Sequence, residues 1–195
     1  MTNLIGIYGR MGSGKDTFYD FMADLAPFGR FQNKKFANTL KEQVAANFGI
    51  DPKRFEDQAF KSSICDQKTG KTWRDVLIDV GTHERSKDPD VFVKKAFEHF
   101  DSEATEPIWV FTDVRFKNEA INIKLNGGIL VKLERQTDGY YKPEDKEMEG
   151  LLDDEDHLFD VIYSCWNLVD LRMCARDTYR RFILEQAINP TKHLI

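Results

Sequence analysis

Apolar residues along this chain fall into two rhythms. Short unbroken runs at Leu4–Tyr8, Ile108–Phe111, Ile129–Leu133 and Phe159–Tyr163 have the length of strands buried on both faces of a parallel sheet. Between them, apolar positions recur every three or four residues, as one face of a helix requires. Leu40, Val44 and Phe48 mark a helix over Asn38–Phe48 that Gly49 stops. Trp73, Val76, Leu77 and Val80 mark another over Trp73–Gly81, and Val91, Phe92, Ala96 and Phe100 a third over Asp90–Phe100, with Pro89 near its start. Thr17–Leu25, Phe116–Leu125 (ended by Gly127-Gly128) and Leu168–Ala187 also read as helices, and Phe31–Ala37 as a short strand. Asp51–Lys71 is polar and closes on a turn signal, Lys68-Thr69-Gly70-Lys71. Gln136–His157 is strongly charged and weakly periodic, as expected of a mobile excursion from the core. Strands alternating with helices predict a three-layer α/β/α fold around a mainly parallel central sheet.

A length of 195 residues suits one such domain, and 41% hydrophobic with 31% charged residues is the composition of a folded globular protein. The net charge of −5 argues against broad binding to a nucleic-acid polymer, which depends on neutralising many phosphates, but leaves room for a basic site that takes one nucleotide. Cys65, Cys165 and Cys174 have an odd count and no metal-ligand spacing; buried reduced thiols in a reducing compartment fit them best. His83, His99, His157 and His193 are dispersed, which argues against a zinc site. No apolar run approaches the ~20 residues of a membrane span, and the N-terminus reads as a strand, not a signal peptide. The expectation is a cytoplasmic protein. Its 15 Phe, 6 Tyr and 3 Trp leave room for a hydrophobic homodimer interface.

The candidate chemistry sits where the first strand gives way to the first helix. Gly9-Arg10-Met11-Gly12-Ser13-Gly14-Lys15-Asp16-Thr17 has the strand–turn–helix context that a phosphate-cradling P-loop needs. Its glycines let backbone N–H groups converge on phosphate oxygens, while Lys15 adds a mobile charge and the helix N-terminus a partial one. A chance glycine-rich turn is the plainer alternative, and the context favours the P-loop. Asp16 stands where the usual motif has a magnesium-binding hydroxyl, with Thr17 one residue later. A second segment, Thr112–Ala120, follows a buried strand, beyond whose carboxyl end ligands sit in open α/β sheets. Asp113 is placed there to hold magnesium or its waters, and Arg115 to grip a phosphate through its planar fork. The alternative is a helix cap at Asp113 beside an exposed, salt-bridging Arg115. Arg74, Arg85 and Arg135, all near element ends, are further candidate phosphate ligands, with Arg135 suited to closing over phosphates. Lys35 and Lys41 are weaker ones.

Ser13-Gly14-Lys15-Asp16-Thr17, Phe36-Ala37 with Leu40-Lys41, Trp73-Arg74 with Leu77 and Gly81-Thr82, and Asp113–Ala120 together resemble the bacteriophage deoxynucleoside monophosphate kinases, of the P-loop nucleoside monophosphate kinase group. The likeness runs from residue 3 to about residue 171 and includes the unusual Asp16. It implies transfer of the ATP γ-phosphoryl group to a deoxynucleoside 5′-monophosphate, in the host cytoplasm if the source is a phage. It further implies that Gly12, Ser13, Gly14, Lys15, Asp16 and Thr17 hold ATP, with Asn167 near the adenine, and that Asp16, Thr17 and Asp113 hold Mg2+. By the same likeness Lys15, Asp113, Arg115 and Arg135 are catalytic, while Lys35, Arg74, Arg85 and Arg115 bind the acceptor. The implied organisation is one kinase domain over 1–195, with an acceptor-binding region at about 36–100 and a lid at about 135–157. The lid departs from the family. After Arg135 its basic residues are Lys142 and Lys146, followed by Asp153-Asp154-Glu155-Asp156, and Leu158-Phe159 follow His157 where the family often has Ser and Glu. Two other readings share the motif: a P-loop kinase of another small phosphorylated metabolite, phosphomevalonate-like or dephospho-coenzyme-A-like, and a non-catalytic ATP-binding switch.

Overall fold

The structure, a computed structural model, describes residues 3–104, 106–136 and 150–184. Most of the expected lid, 137–149, and the last three residues expected of the final helix, 185–187, lie outside them. The chain divides into two compact units, Met1–Lys35 with Asp101–Ile195, and Phe36–Phe100. The second has the bounds expected of the acceptor-binding region.

The first unit is built on a five-stranded sheet of β1 (Leu4–Tyr8), β2 (Phe31–Lys34), β5 (Ile108–Val114), β6 (Ile129–Arg135) and β7 (Val161–Cys165), in the order β2-β5-β1-β6-β7. Every pairing is parallel. The central strand β1 is buried at all five positions, which is why its sequence is an unbroken apolar run. Ile5, Ile7, Ile108, Val110, Val131 and Leu133 form one core with Phe18 and Met22 of α1 (Lys15–Ala23) and Leu171 and Ala175 of α7 (Leu168–Thr178). On the opposite face, α6 (Lys117–Leu125) lies so close that a Cβ on Gly6 would fall 2.5 Å from Ile123 Cδ1 and 2.7 Å from Leu130 Cδ2. Helices on both faces give the three expected layers. The last helix changes after Thr178 into a wider π turn over Tyr179–Leu184. Cys165 Sγ lies 3.5 Å from Cys174 Sγ without a bond between them, and burial pushes the Cys174 thiol up to about 12. Burial raises both thiols and so disfavours the thiolate form.

The second unit packs α2 (Ala37–Phe48), a 3₁₀ turn (Pro52–Glu56), α3 (Gln58–Lys61), the hairpin β3 (Ile64–Asp66) and β4 (Lys71–Thr72), α4 (Trp73–Lys87) and α5 (Val91–Ala96) around its own core. Leu40, Val44, Phe55 and Phe92 are buried there, with Phe60 stacked on Trp73 at 5.6 Å. Gly49, at φ +65, ends α2 as expected. The expected turn at Lys68–Lys71 is the hairpin turn, where Asp66 accepts from Lys68 N and Thr69 Oγ1. α4 begins on a capping box between Thr72 and Asp75. It runs through Gly81, which had been expected to end it; a Cβ there would lie 3.1 Å from Leu40 Cδ2, so the glycine serves helix packing. Among the described residues no helix is long and apolar enough to cross a membrane.

Candidate active site

The loop between β1 and α1 has the geometry of a phosphate cradle. Gly12 at φ +78 and Gly14 at φ +92 take left-handed conformations that side chains resist, and Gly14 is the residue that starts α1. A Cβ on Gly9 would lie 2.5 Å from Ser13 Oγ and 2.6 Å from Leu133 O. Lys15 curls back over the loop, its Nζ donating to Gly9 O at 2.5 Å and Arg10 O at 3.0 Å. Ser13 Oγ is buried with no hydrogen-bond partner. A buried orphan hydroxyl costs free energy, and a phosphate oxygen in the loop is the partner its position suits.

Asp16, in the first turn of α1, is the centre of a small polar cluster. Thr112 Oγ1 donates to Asp16 Oδ1 at 2.9 Å, and Lys35 Nζ lies 3.3 Å from the same oxygen. Asn33 Oδ1 is 3.3 Å from Thr112 Oγ1. Parallel pairing assembles this group: β2 runs beside β5 with Lys34 opposite Phe111, so Asn33 and Lys35 arrive next to Thr112. Thr112 shares a face of β5 with Ile108 and Val110, the face that carries α1, and strand alternation turns Asp113 to the other side. Asp113 is half-buried within β5, which extends to Val114, beyond the end expected at Phe111. The cap reading of Asp113 does not hold. Phe116 precedes the first turn of α6, and the carboxylate that serves this turn belongs to Glu119, buried to 3%, accepting from Arg115 N at 2.8 Å and Phe116 N at 3.0 Å. Glu119 thereby fixes the backbone that carries the exposed Arg115.

Arg135 ends β6 and donates through its guanidinium to Gly12 O at 2.8 Å, so the expected lid arginine already touches the P-loop. Four adjacent strands thus deliver a cation at their carboxyl ends: Lys35 after β2, Arg115 after β5, Arg10 after β1 and Arg135 on β6. Lys15 lies among these ends. Lys35 is shared with Asp16 and Arg10 with Asp153, and the set as a whole brings basic groups to the ends where a polyanion would lie.

The C-terminal part of the charged segment Gln136–His157 packs on the sheet. Asp153 accepts from Tyr8 O–H at 2.6 Å and from the Arg10 guanidinium, with Arg10 Nε at 2.9 Å. Leu152 is buried to 1%, and Lys132, itself buried, donates to Asp153 O at 2.8 Å and pairs with Asp156 at 2.5 Å. The acidic run is therefore neutralised from beneath. Burial opposes ionisation of Asp153, but the Tyr8 and Arg10 hydrogen bonds outweigh it and hold its carboxyl below the usual range. Burial likewise opposes the charge on Lys132, yet Asp156 and Glu134 keep its ammonium above the usual range.

The remaining expected site residues are placed as follows. Thr17 is half-buried in α1, next to Asp16. Asn167 starts α7, its side chain accepting from Val169 N at 2.8 Å and Asp170 N at 3.0 Å, a capping role. Trp166, Leu168 and Val169 beside it are exposed. In the second unit, Arg74 donates to Gln58 Oε1 at 3.0 Å and Arg85 lies over the Phe92 ring at 4.8 Å. Eleven residues apart on α4, they project from nearly the same helix face. Lys41 pairs with Glu56 at 2.6 Å.

A parallel sheet, a glycine cradle at the end of its central strand and a ring of basic groups define a P-loop nucleotide-binding fold. The phosphomevalonate kinase family model matches residues 7–125, well over half the chain. A putative deoxynucleotide monophosphate kinase of Acanthamoeba polyphaga mimivirus is 34% identical over 145 residues, 68% of this chain and 74% of that protein. The solved structure of TT1252 from Thermus thermophilus shares the fold, with a TM-score of 0.54 at 13% identity over 90% of this chain and 94% of its own. The chain belongs to the P-loop kinase family that the phosphomevalonate kinase model describes, and is a phosphotransferase. The expected likeness to bacteriophage enzymes holds at that family level, since the viral relative comes from a mimivirus.

Proposed function

We propose that this kinase transfers the γ-phosphoryl group of ATP to a deoxynucleoside 5′-monophosphate, giving the diphosphate and ADP. The observation that carries the proposal is the set of cations at the carboxyl ends of four adjacent strands around the cradle. A phosphate acceptor is already an anion and needs no catalytic base; the barrier is to hold two polyanions in line while charge redistributes. Gly12, Ser13, Gly14 and Lys15 would hold the ATP phosphates, with the Ser13 hydroxyl gaining its missing partner. Asp16 and Thr17 offer hard oxygen donors that fit Mg2+, which when bound would neutralise charge on the phosphates, whereas Asp113 faces the other side of β5. Arg115 and Arg135 would stabilise the phosphoryl group in transfer. Lys35, Arg74 and Arg85 would bind the acceptor phosphate. Asn167 would sit near the adenine while capping α7.

The mimivirus relative's name supports the deoxynucleotide reading. The name of the matching family model supports a second one, phosphomevalonate as acceptor. Coupled ADP release with the four deoxynucleoside monophosphates, their ribose counterparts and phosphomevalonate separates them. Stimulation by at least one deoxynucleoside monophosphate supports the proposal; stimulation by phosphomevalonate alone replaces it.

A further inference from the structure

In P-loop enzymes generally, the loop supplies a hydroxyl at the position of Asp16 and a neighbouring strand supplies a carboxylate. Here the loop carries the carboxylate, and the residue of β5 that meets it carries a hydroxyl. Thr112 is 2% exposed on the apolar face of β5 beside Val110, where valine has the same shape and needs no polar partner. The buried hydroxyl is instead spent on Asp16, at 2.9 Å. Its single proton goes to the charged, nearer acceptor, while Asn33 Oδ1 lies farther off at 3.3 Å. Asp16 by itself is an exposed side chain at 67%, on a helix turn where several rotamers lead to solvent. Thr112 and Lys35 both engage Oδ1, which turns Oδ2 away from them.

We infer that Thr112 is a positioning residue for Asp16: the hydroxyl on β5 fixes the carboxylate of the P-loop for magnesium. The inference rests on the reading of Asp16 as a magnesium ligand. It gives Thr112 a role in metal affinity, without contact to substrate, and joins the aspartate at position 16 and the threonine on β5 in one device.

Calorimetric titration of the full chain with ADP, across magnesium concentrations and in chelator, tests it. Thr112→Val should raise the magnesium concentration for the half-maximal gain in ADP affinity about tenfold, the scale of one hydrogen bond to a charged group. Thr112→Ser, which keeps the hydroxyl, should stay within about twofold of wild type. In an Asp16→Asn background, Thr112→Val should have no further effect, because its route runs through the carboxylate. If Thr112→Val fails to fold, Thr112→Ala is read in the same way. An unchanged magnesium dependence in Thr112→Val, or its full effect persisting beside Asp16→Asn, overturns the inference alone. Wild-type ADP binding that gains nothing from magnesium overturns the metal reading of Asp16 and this inference with it.

Discussion

Lys15 shows how a single side chain is built into the cradle. Its ammonium is held by Gly9 O and Arg10 O, so its charge is kept at the loop. Lys15→Ala should lower phosphoryl transfer by at least about a hundredfold, the scale for removing one preorganised charge stabiliser. Steady-state turnover checks this, with circular dichroism confirming the fold. Arg115 makes a sharper case, because Glu119 holds its backbone independently of the guanidinium. Arg115→Lys should keep ATP affinity by calorimetry while kcat falls, alone or with a raised acceptor KM, since a point charge cannot replace a planar fork. A change within about twofold in both parameters, roughly 0.4 kcal/mol, would make Arg115 a surface residue. The P-loop residues were legible in the sequence because the motif is contiguous. Thr112, Asn33, Glu119 and Asp153 were not singled out. Thr112 meets Asp16 from 96 residues away and Asp153 meets Tyr8 from 145, contacts that only the sheet order creates. Glu119 alone had a local signal, an acid in the first turn of a predicted helix.

Elements buried on both faces were the most legible, since β1, β5 and β6 are buried along most of their length and each contains an apolar run. The hairpin β3–β4 was missed, being three and two residues long with Ile64 exposed. Gly81 misled because a helix that packs closely on another can use glycine in its interior. Gly6 is the corresponding device in the sheet, and Gly6→Ala should destabilise the fold by about 1–3 kcal/mol through overpacking against Ile123 and Leu130. Urea unfolding measures it. The docking of Asp153 on β1 and the P-loop carries a pH dependence. Its carboxyl is held below the ordinary value, so its ionised form stabilises the folded state above that value. The contribution is lost as pH falls below ~4 through the lowered value. Asp153→Asn should accordingly show a smaller drop in urea midpoint between neutral and acidic pH than wild type. An identical drop would mean that Tyr8 and Arg10 do not bind the carboxylate preferentially in its charged form.

At the scale of the molecule, the sheet order is the functional statement. Placing β1 between β5 and β6, with β2 outside β5, brings basic residues scattered from Arg10 to Arg135 to neighbouring strand ends around the cradle. Within the unit of residues 36–100, Arg74 and Arg85 lie on one face of α4. The fold class was readable from alternation alone. The acceptor was not, because its identity depends on shape and polar contacts that no motif encodes. The central claim is that phosphate passes to a deoxynucleoside monophosphate and not to water. Phosphorus NMR of the full chain with ATP, Mg2+ and each deoxynucleoside monophosphate reads this directly. A deoxynucleoside diphosphate should form one-for-one with ADP, with little inorganic phosphate. ADP appearing only with inorganic phosphate, or no ADP with any of the four acceptors, would contradict it.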